Sequence, residues 1–388
     1  MRTILCGSQK LPTNPPIHSQ KLKCVDLFAG AGGLSLAAHQ AGIDVVAAVE
    51  QDHAACETYR HNLMPLVPGL TLYEADILDL SPVEVLSSHF KGSSECDIML
   101  GGPPCQGFST HRIKDAGVKD PRNALILRYF EYVETLRPKV FLMENVPGIL
   151  WPRHLDFLDA FYQRGRAACY TLFRPQIIDA RDYGVPQRRR RVFVLGIRND
   201  VKFNGQWPPT PTHTEKPDLF QSGELLPWVP ASSVFSAASA NDDENLLHMK
   251  HTPELIKVFA STPINGGSRR DSGRTLPCHI GHNGHKDVYG RINPGLPGPT
   301  MTTACINPSK GRFVHPTENH GITVRHAARF QTFPDSYCFK GGLTSAGKQI
   351  GNAVPVLLGK VLLESIAAGL RSYIPGGEAG QSGGKRND

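Results

Sequence analysis

The first half of the chain alternates short apolar runs with longer segments of helical period. Each run is apolar on both faces, and connections of helix length separate one run from the next. Strands buried on both faces belong to sheets that helices cover on both sides, and such sheets are mostly parallel. The pattern therefore predicts an α/β fold. The six predicted strands span residues 24–28, 45–49, 71–73, 97–100, 139–143 and 191–197.

One connector carries helix signals at both ends. Asp120 stands at the N-cap position, Pro121 occupies the first helical position, and Pro138 stops the segment. Between them, apolar side chains recur at helical spacing from Leu125 to Leu136. The segment is therefore predicted to be a helix that packs on the sheet.

The amino-acid composition of the sequence changes near residue 204. Proline, glycine, serine and polar residues then dominate, which predicts a second, smaller, loop-rich domain over residues 206–320. Two helices are predicted after Gly321, and the last is too apolar to stand alone in water. We therefore expect residues 321–375 to complete the first domain, which comprises residues 1–205. The tail at 376–388 is predicted to be disordered.

Composition and charge narrow the class of protein. No stretch approaches the length and apolarity of a signal peptide or a membrane span, so we expect a soluble, cytoplasmic protein with no membrane partner. Nine cysteines are scattered without a CxxC pair, and no disulfide framework is expected. The net charge of +7 permits a polyanionic partner. Between Pro263 and Arg312, seven basic residues face two acidic ones, so most of the excess lies there.

The first predicted strand leads directly into a glycine turn, GAGG at 30–33, and then into a helical segment. Such glycines allow a tight turn and the close approach of a ligand to the backbone. Glu50 ends the second strand, where nucleotide-binding α/β proteins place an acid on ribose hydroxyls, and Asp76 ends the third. The spacing is not GxGxxG, which favours an adenosine cofactor other than a nicotinamide nucleotide. The alternative to a cofactor site is that the glycines serve only the geometry of the strand-to-helix turn.

Cys105 follows the fourth predicted strand, in the stretch GGPPCQGFS. Open α/β sheets bind ligands at the carboxyl ends of their strands. The two prolines restrict the backbone before the cysteine and Gly107 frees it afterwards, so the loop can present a thiolate rigidly and still close over a substrate. The alternative is a small buried hydrophobic residue, which is the commoner role of an isolated cysteine.

Charged residues accompany two further strands. Glu144 and Asn145 follow an apolar run, where a carboxyl group near the thiol can hold or deliver a proton. A helix or turn cap is the alternative. In QRRRR, Arg189 and Arg191 alternate with two further arginines, so an extended backbone directs one pair toward the site. A solvated run of charge is the other interpretation of this stretch.

Six motifs, in this order, resemble those of the DNA cytosine-5 methyltransferases of bacterial type: DLFAGAGGLS, GGPPCQGFS, MENV, QRRRR, RFQTFPD and QIGNAVP. They cover residues 24–200 and 291–360, and the ordered series is more specific than any one motif. The resemblance implies a Rossmann-like S-adenosylmethionine-dependent methyltransferase sheet. The irregular basic insert between QRRRR and RFQTFPD is similar to the second, smaller, loop-rich target-recognition domain of that family.

The resemblance implies a site for the cofactor S-adenosylmethionine. One departure is His326, where the family often has an acid, and this puts a local contact in doubt but not the chemistry. The residues assigned to the cofactor are Phe28, Gly30, Gly32 and Gly33 of the turn, Glu50 for the ribose, Asp76 and Ile77 for the adenine, and Leu125 and Asn352 to complete the pocket.

The implied reaction is methyl transfer to carbon 5 of a cytosine that is flipped out of a specific duplex DNA sequence. Addition of the Cys105 thiolate at carbon 6 makes carbon 5 nucleophilic, and Glu144 at ring nitrogen 3 stabilises the charge that addition creates. Arg189 and Arg191 are expected near the base oxygen or the thiolate, where positive charge favours the ionised nucleophile.

Double-stranded DNA is expected to contact the closing loop after the cysteine and the basic part of the insert. At least one arginine of the insert is expected to read a base. Three histidines there lack a flanking cysteine pair, so DNA contact is favoured and no metal is expected. The residues assigned to DNA are Gln106, Gly107, Ser109, Arg269, Arg270, Arg274 and Arg291, interleaved in the insert with His279, His282 and His285.

The resemblance also implies a monomer in the cytoplasm, associated with the nucleoid, that works either beside a cognate restriction endonuclease or as an orphan methylase. Two alternatives stay open. One is the tRNA-methylating branch of the same family, and the long glycine- and arginine-rich insert favours DNA. The other is a catalytically idle DNA-binding relative, and the intact Cys105, Glu144, Arg189 and Asn352 argue against it.

Overall fold

Eight strands form one sheet in the computed structural model, which describes residues 21–92, 94–104, 123–217, 225–236, 242–272 and 287–371. The strands are β1 (Lys23–Leu27), β2 (Asp44–Glu50), β3 (Thr71–Glu74), β4 (Ile98–Gly101), β5 (Val140–Asn145), β6 (Tyr170–Leu172), β7 (Gln176–Asp179) and β8 (Arg190–Arg198). Their order is β3-β2-β1-β4-β5-β8-β6, and β7 also pairs with β8. The first five strands are parallel, and β8 is antiparallel to its neighbours β5, β6 and β7.

The α/β fold with a mostly parallel sheet is confirmed. All six predicted strands are present, with small shifts at their ends. In the register of the central strands, Leu27 of β1 lies opposite Gly101 of β4, which lies opposite Met143 of β5. The segments that follow these three strands therefore leave the sheet at one edge.

Both faces of the sheet are buried, which explains why its strands are apolar throughout. Along β5, Val140 and Leu142 belong to one hydrophobic cluster, whereas Phe141 and Met143 belong to the other. Successive side chains of a strand point to opposite faces, so one apolar run supplies two cores.

Helices cover both faces. The first cluster includes residues of α1 (Gly33–Gln40), α2 (His53–Asn62), α8 (Val324–Phe330), α9 (Gly342–Asn352) and α10 (Val356–Arg371). The second includes residues of α3 (Pro82–His89), α4 (Asn123–Leu136) and α5 (Leu155–Ala167). The helix predicted before Pro138 is α4, while its predicted cap, Asp120 with Pro121, lies outside the described residues. Of the helices near the end of the chain, α8 and α10 were expected and α9 was not.

Little regular structure occurs in the described parts of residues 206–320. They contain the short paired strands β9 (His213–Thr214) and β10 (Leu226–Pro227) and the helices α6 (Ser232–Phe235) and α7 (Pro253–Ser261). Met301, Ile306 and Phe313 nevertheless belong to the same buried cluster as Cys24 of β1. The predicted boundary at residue 320 stays a prediction, but the described part of 287–320 shares the core of the first domain. The predicted disordered tail lies outside the described residues.

One stretch in the described part of the chain, Gly342–Arg371, has the length and composition of a membrane span. The expectation that no segment approaches this length is therefore wrong. Helix α10 within it packs closely on α1, since a Cβ added at Gly359 would lie 2.8 Å from the Ala37 Cβ. Its apolar residues Leu362, Leu363 and Ile366 are fully buried in the core.

Candidate active site

The glycine turn joins β1 to α1 at the carboxyl edge of the sheet. Phe28, Gly30 and Gly32 all have left-handed backbones, with φ of 59°, 56° and 81°. A Cβ on Gly32 or Gly33 would lie 2.2 Å or 2.7 Å from the nearest neighbouring atom, so close packing requires both glycines. A Cβ on Gly30 would meet no atom within 4 Å, so its φ alone favours glycine there. The turn thus combines a tightly packed inner side with open space beside Gly30.

The carboxylate of Glu50 is fixed at the mouth of this turn. Its Oε2 accepts a hydrogen bond from Gly30 N at 2.8 Å, and its Oε1 accepts from Gln51 N at 2.9 Å and Asp52 N at 2.7 Å. Three backbone donors hold one side chain, so the acid is already oriented before any ligand arrives. Oε1 already accepts two of these bonds and Oε2 only one, so Oε2 keeps a lone pair for a ribose hydroxyl.

The apolar residues assigned to the cofactor share one hydrophobic cluster. Ile77 is buried in the second core, and Phe28 and Leu125 pack against that core from the glycine turn and from α4. Asp76 is half-buried, and its Oδ1 accepts a hydrogen bond from Leu78 N at 2.9 Å. The apolar cofactor residues that follow β1 and β3 and the one on α4 therefore contribute to the same core.

The ends of β4 and β5 place the Glu144 carboxyl against the chain that leads to Cys105. A Cβ on Gly102 would lie 3.2 Å from Glu144 Oε2, and a Cβ on Gly101 would lie 2.5 Å from the Tyr129 ring. The Asn145 amide approaches Pro103 O at 3.4 Å and so links the same two strand ends. Cys105 lies outside the described residues, as do Gln106, Gly107 and Ser109.

Glu144 is buried and paired with a cation. Arg191 Nε lies 2.9 Å from Glu144 Oε1, although the geometry is that of an ion pair and Oε1 receives no well-directed hydrogen bond. Burial raises the pKa of Glu144, and the charges of Arg191 and Arg189 offset part of that rise. The carboxyl group can thus retain a proton more readily than an exposed glutamate, as a proton donor to a ring nitrogen must.

The alternation predicted for QRRRR is present, but its two inward arginines differ in role. Arg188 and Arg190 are exposed, whereas Arg191 approaches Glu144 and Arg189 is fully buried. The Arg189 guanidinium donates to three carbonyl oxygens, those of Met301, Gly351 and Ala353, at 2.8–2.9 Å. The expectation that Arg189 lies near the base oxygen or the thiolate stays a prediction, and the three bonds direct its terminal nitrogens to the protein backbone. Arg189 positions neighbouring segments.

Two buried glutamines extend this network, and the sequence analysis did not identify them. Gln187 Nε2 donates to Gln331 Oε1 at 2.8 Å, and Gln187 Oε1 accepts from Met301 N at 2.6 Å. Gln331 Nε2 donates to Ile350 O and Ala353 O. The predicted cofactor residue Asn352, which is exposed, lies between backbone groups that Arg189 and Gln331 hold. Gln187 opens the QRRRR motif and Gln331 lies within the RFQTFPD motif. This placement was the signal that the sequence offered.

Arg291 is not available to DNA. It is 1% exposed, and its guanidinium makes five hydrogen bonds of 2.6–3.0 Å within the protein. The prediction that Arg291 contacts DNA is therefore wrong, and the residue instead ties several loops together. Its partners are the carbonyl oxygens of Phe259, Thr262, His315 and Glu318 and the side-chain oxygen of Asn319.

The other basic residues of the insert divide between surface and interior. Arg270 is exposed, whereas Arg269 is 4% exposed. Arg274 and the histidines 279, 282 and 285 lie outside the described residues. His326, the departure from the family pattern, forms a capping box with Thr323 at the start of α8, and burial lowers its pKa to about 3.

The model of the C-5 cytosine-specific DNA methylase family matches residues 22–368. Among similar proteins, the Type II methyltransferase M.NgoFVII of Neisseria gonorrhoeae is 34% identical over 87% of this chain and 84% of its own length. The Type II methyltransferase M.DdeI of Desulfomicrobium norvegicum is 30% identical over 89% of this chain and 88% of its own length.

Solved structures share the fold. A prophage-encoded protein of Escherichia coli, described as a DNA modification methyltransferase, superimposes with a TM-score of 0.68 at 24% identity and covers 90% of this chain and 100% of its own. The DNMT2 of Spodoptera frugiperda, in a mutant form, gives a TM-score of 0.59 at 17% identity, over 89% of this chain and 100% of its own. With the family match across nearly the whole chain, the protein belongs to the C-5 cytosine-specific DNA methylase family and is a DNA cytosine-5 methyltransferase that uses S-adenosylmethionine.

Proposed function

We propose that this enzyme methylates cytosine in duplex DNA through a covalent bond from Cys105, with Glu144 as the proton-holding group. The approach of the Glu144 carboxyl to Gly102, three residues before the cysteine, carries this assignment. Neighbouring parallel strands bring Gly102 and the Glu144 carboxyl group to the same edge, where open α/β sheets bind their ligands.

The described residues fit S-adenosylmethionine. Gly30 leaves open space beside the turn, Glu50 presents a pre-oriented acceptor for a ribose hydroxyl, and Ile77 and Leu125 belong to an apolar wall that suits an adenine ring. When bound, S-adenosylmethionine supplies an electrophilic methyl group. The chain binds and orients this group through the turn, while Asn352 completes the pocket from the end of α9.

The residues of the chain make carbon 5 reactive. The Cys105 thiolate forms a bond to carbon 6 of the ring, and the displaced electron pair is accommodated because Glu144 holds a proton at nitrogen 3. The resulting enamine is nucleophilic at carbon 5. Once that carbon carries the methyl group, it loses its proton, the carbon–sulfur bond breaks, and the thiolate returns. Arg191 keeps the Glu144 carboxyl in place through their ion pair.

Duplex DNA hides the faces of its bases, so the target cytosine is flipped into the pocket. Gln106, Gly107 and Ser109 are proposed to close over it, and Arg270 and Arg274 to contact DNA, since the Arg269 side chain is buried. We further propose that the enzyme is monomeric, that it is associated with the nucleoid in the cytoplasm, and that it works beside a cognate restriction endonuclease. The Type II relatives support that last assignment.

Bisulfite sequencing of DNA from cells that express the chain tests this function. We expect protected cytosines at every copy of one short sequence, and none in cells that express Cys105→Ser. Parallel bisulfite sequencing of tRNA addresses the related substrate. Methylated tRNA with unmodified DNA would overturn the proposal, and so would full DNA protection by Cys105→Ser.

A further inference from the structure

A fully buried chain of hydrogen bonds lies beneath the glycine turn. Ser35 Oγ donates to Asp26 Oδ2 at 2.6 Å, and Tyr59 OH donates to Ser35 Oγ at 2.8 Å. None of the three residues is more than 1% exposed. These hydrogen bonds connect β1, α1 and α2 inside the core, and they run from Tyr59 through Ser35 to the Asp26 carboxyl group.

This chain of hydrogen bonds supports the glycine turn from its inner side. Asp26 lies two residues before Phe28, and Ser35 lies two residues after Gly33, so their bond spans the loop that the turn forms. A Cβ on Gly32 would lie 3.0 Å from the Tyr59 ring, which places that ring against the turn itself. The hydrogen-bond chain thus closes the loop through the Asp26–Ser35 bond and touches the turn through the Tyr59 ring.

The surroundings of Asp26 are short of positive charge. The charged group that raises its pKa further is Glu50, and its other titratable neighbours are the uncharged Cys24, Tyr59 and Tyr129. Burial is the main cause of a pKa raised to about 7, and the hydrogen bond from Ser35 offsets part of the rise. Near neutral pH, the protonated and ionised forms of Asp26 therefore coexist.

We propose that Asp26, Ser35 and Tyr59 form a positioning element for the cofactor turn, and that binding of a positively charged ligand there is coupled to loss of the Asp26 proton to solvent. The inference rests on the proposed assignment of the turn to S-adenosylmethionine, whose sulfonium carries a positive charge. A cation favours the ionised carboxylate, and by linkage the ionised carboxylate binds the cation more tightly. The product S-adenosylhomocysteine has a neutral thioether and lacks this coupling.

Isothermal titration calorimetry in two buffers with different ionisation enthalpies counts the protons released on binding. Both ligands also carry a titrating amino group, so the informative quantity is the difference between wild type and Asp26→Asn. Near pH 7, we expect wild type to release a larger fraction of a proton than Asp26→Asn with S-adenosylmethionine, and the same fraction with S-adenosylhomocysteine. Wild-type affinity for S-adenosylmethionine should rise severalfold more than that of the variant between about pH 6 and pH 8.

Ser35→Ala provides a second variant that retains the carboxyl group. Without the Ser35 hydrogen bond, the pKa of Asp26 rises, so we expect the proton release to move to higher pH. If Asp26→Asn fails to fold, the comparison of wild type with Ser35→Ala tests the inference by itself. Equal proton release by wild type and a folded Asp26→Asn, or an unshifted release in Ser35→Ala, overturns the inference. Failure of wild type to bind either ligand would instead refute the assignment of the turn.

Discussion

Arg291→Ala separates two roles for this arginine, DNA contact and internal support. The side chain is 1% exposed, and its five hydrogen bonds reach four backbone carbonyl oxygens and one amide oxygen. Truncation leaves these acceptors in a buried cavity. A buried polar group that loses its partner costs about 1–3 kcal/mol, and here five neutral acceptors lose the same donor group.

We therefore expect Arg291→Ala to lower the free energy of unfolding by about 1–3 kcal/mol, a measurable part of the roughly 5–15 kcal/mol of a typical domain. Urea unfolding followed by circular dichroism measures this loss. Arg188→Ala is the matched control, because its side chain is exposed and a surface change of this kind stays within about 0.5 kcal/mol. The reasoning is refuted if Arg291→Ala keeps wild-type stability but discriminates less between cognate and mismatched duplexes.

Three further substitutions test the site. Glu50→Ala should weaken S-adenosylmethionine binding by about 1.5–3 kcal/mol, as measured by calorimetry. The variant should also be less stable, because three backbone donors lose their acceptor. Unchanged affinity would reject the role of Glu50 at the ribose. Arg191→Ala removes a charge that lowers the pKa of Glu144, so the alkaline limb of the pH profile of kcat should move to higher pH. An unmoved limb would exclude Glu144 as the titrating acid. Gly102→Ala places a methyl group 3.2 Å from Glu144 Oε2 and should reduce kcat about tenfold at nearly unchanged melting temperature; full activity would show that the carboxyl position is not critical.

The sheet could be predicted from sequence because strands buried on both faces leave unbroken apolar runs. Met143 and Val194 lie on neighbouring strands and are both buried, so burial alone explains why both positions are apolar. The short strand β6 was missed because it has only three residues and a largely exposed centre. Helix α9 was missed because glycine and polar residues interrupt its apolar face.

The sequence indicates a local role where backbone geometry restricts the residue type, and it is a poorer guide where the three-dimensional environment decides. Gly32 and Gly33 are glycines because the packing admits no side chain. In contrast, Arg291 sits among surface-like residues in the sequence, and only the fold shows that loops surround its guanidinium. Asp26 likewise stands within a predicted strand, and only the packing of α1 and α2 shows that its carboxyl group is buried.

The central claim is that the Cys105 thiol forms a bond to carbon 6 of the target cytosine. The most direct measurement uses a duplex that carries 5-fluorocytosine in the methylated position found by bisulfite sequencing. Fluorine replaces the proton that must leave carbon 5, so the account predicts an adduct that forms only with S-adenosylmethionine, survives a denaturing gel and maps to Cys105 by peptide mass. An adduct on another cysteine, or no adduct on a verified target with cofactor present, would contradict it.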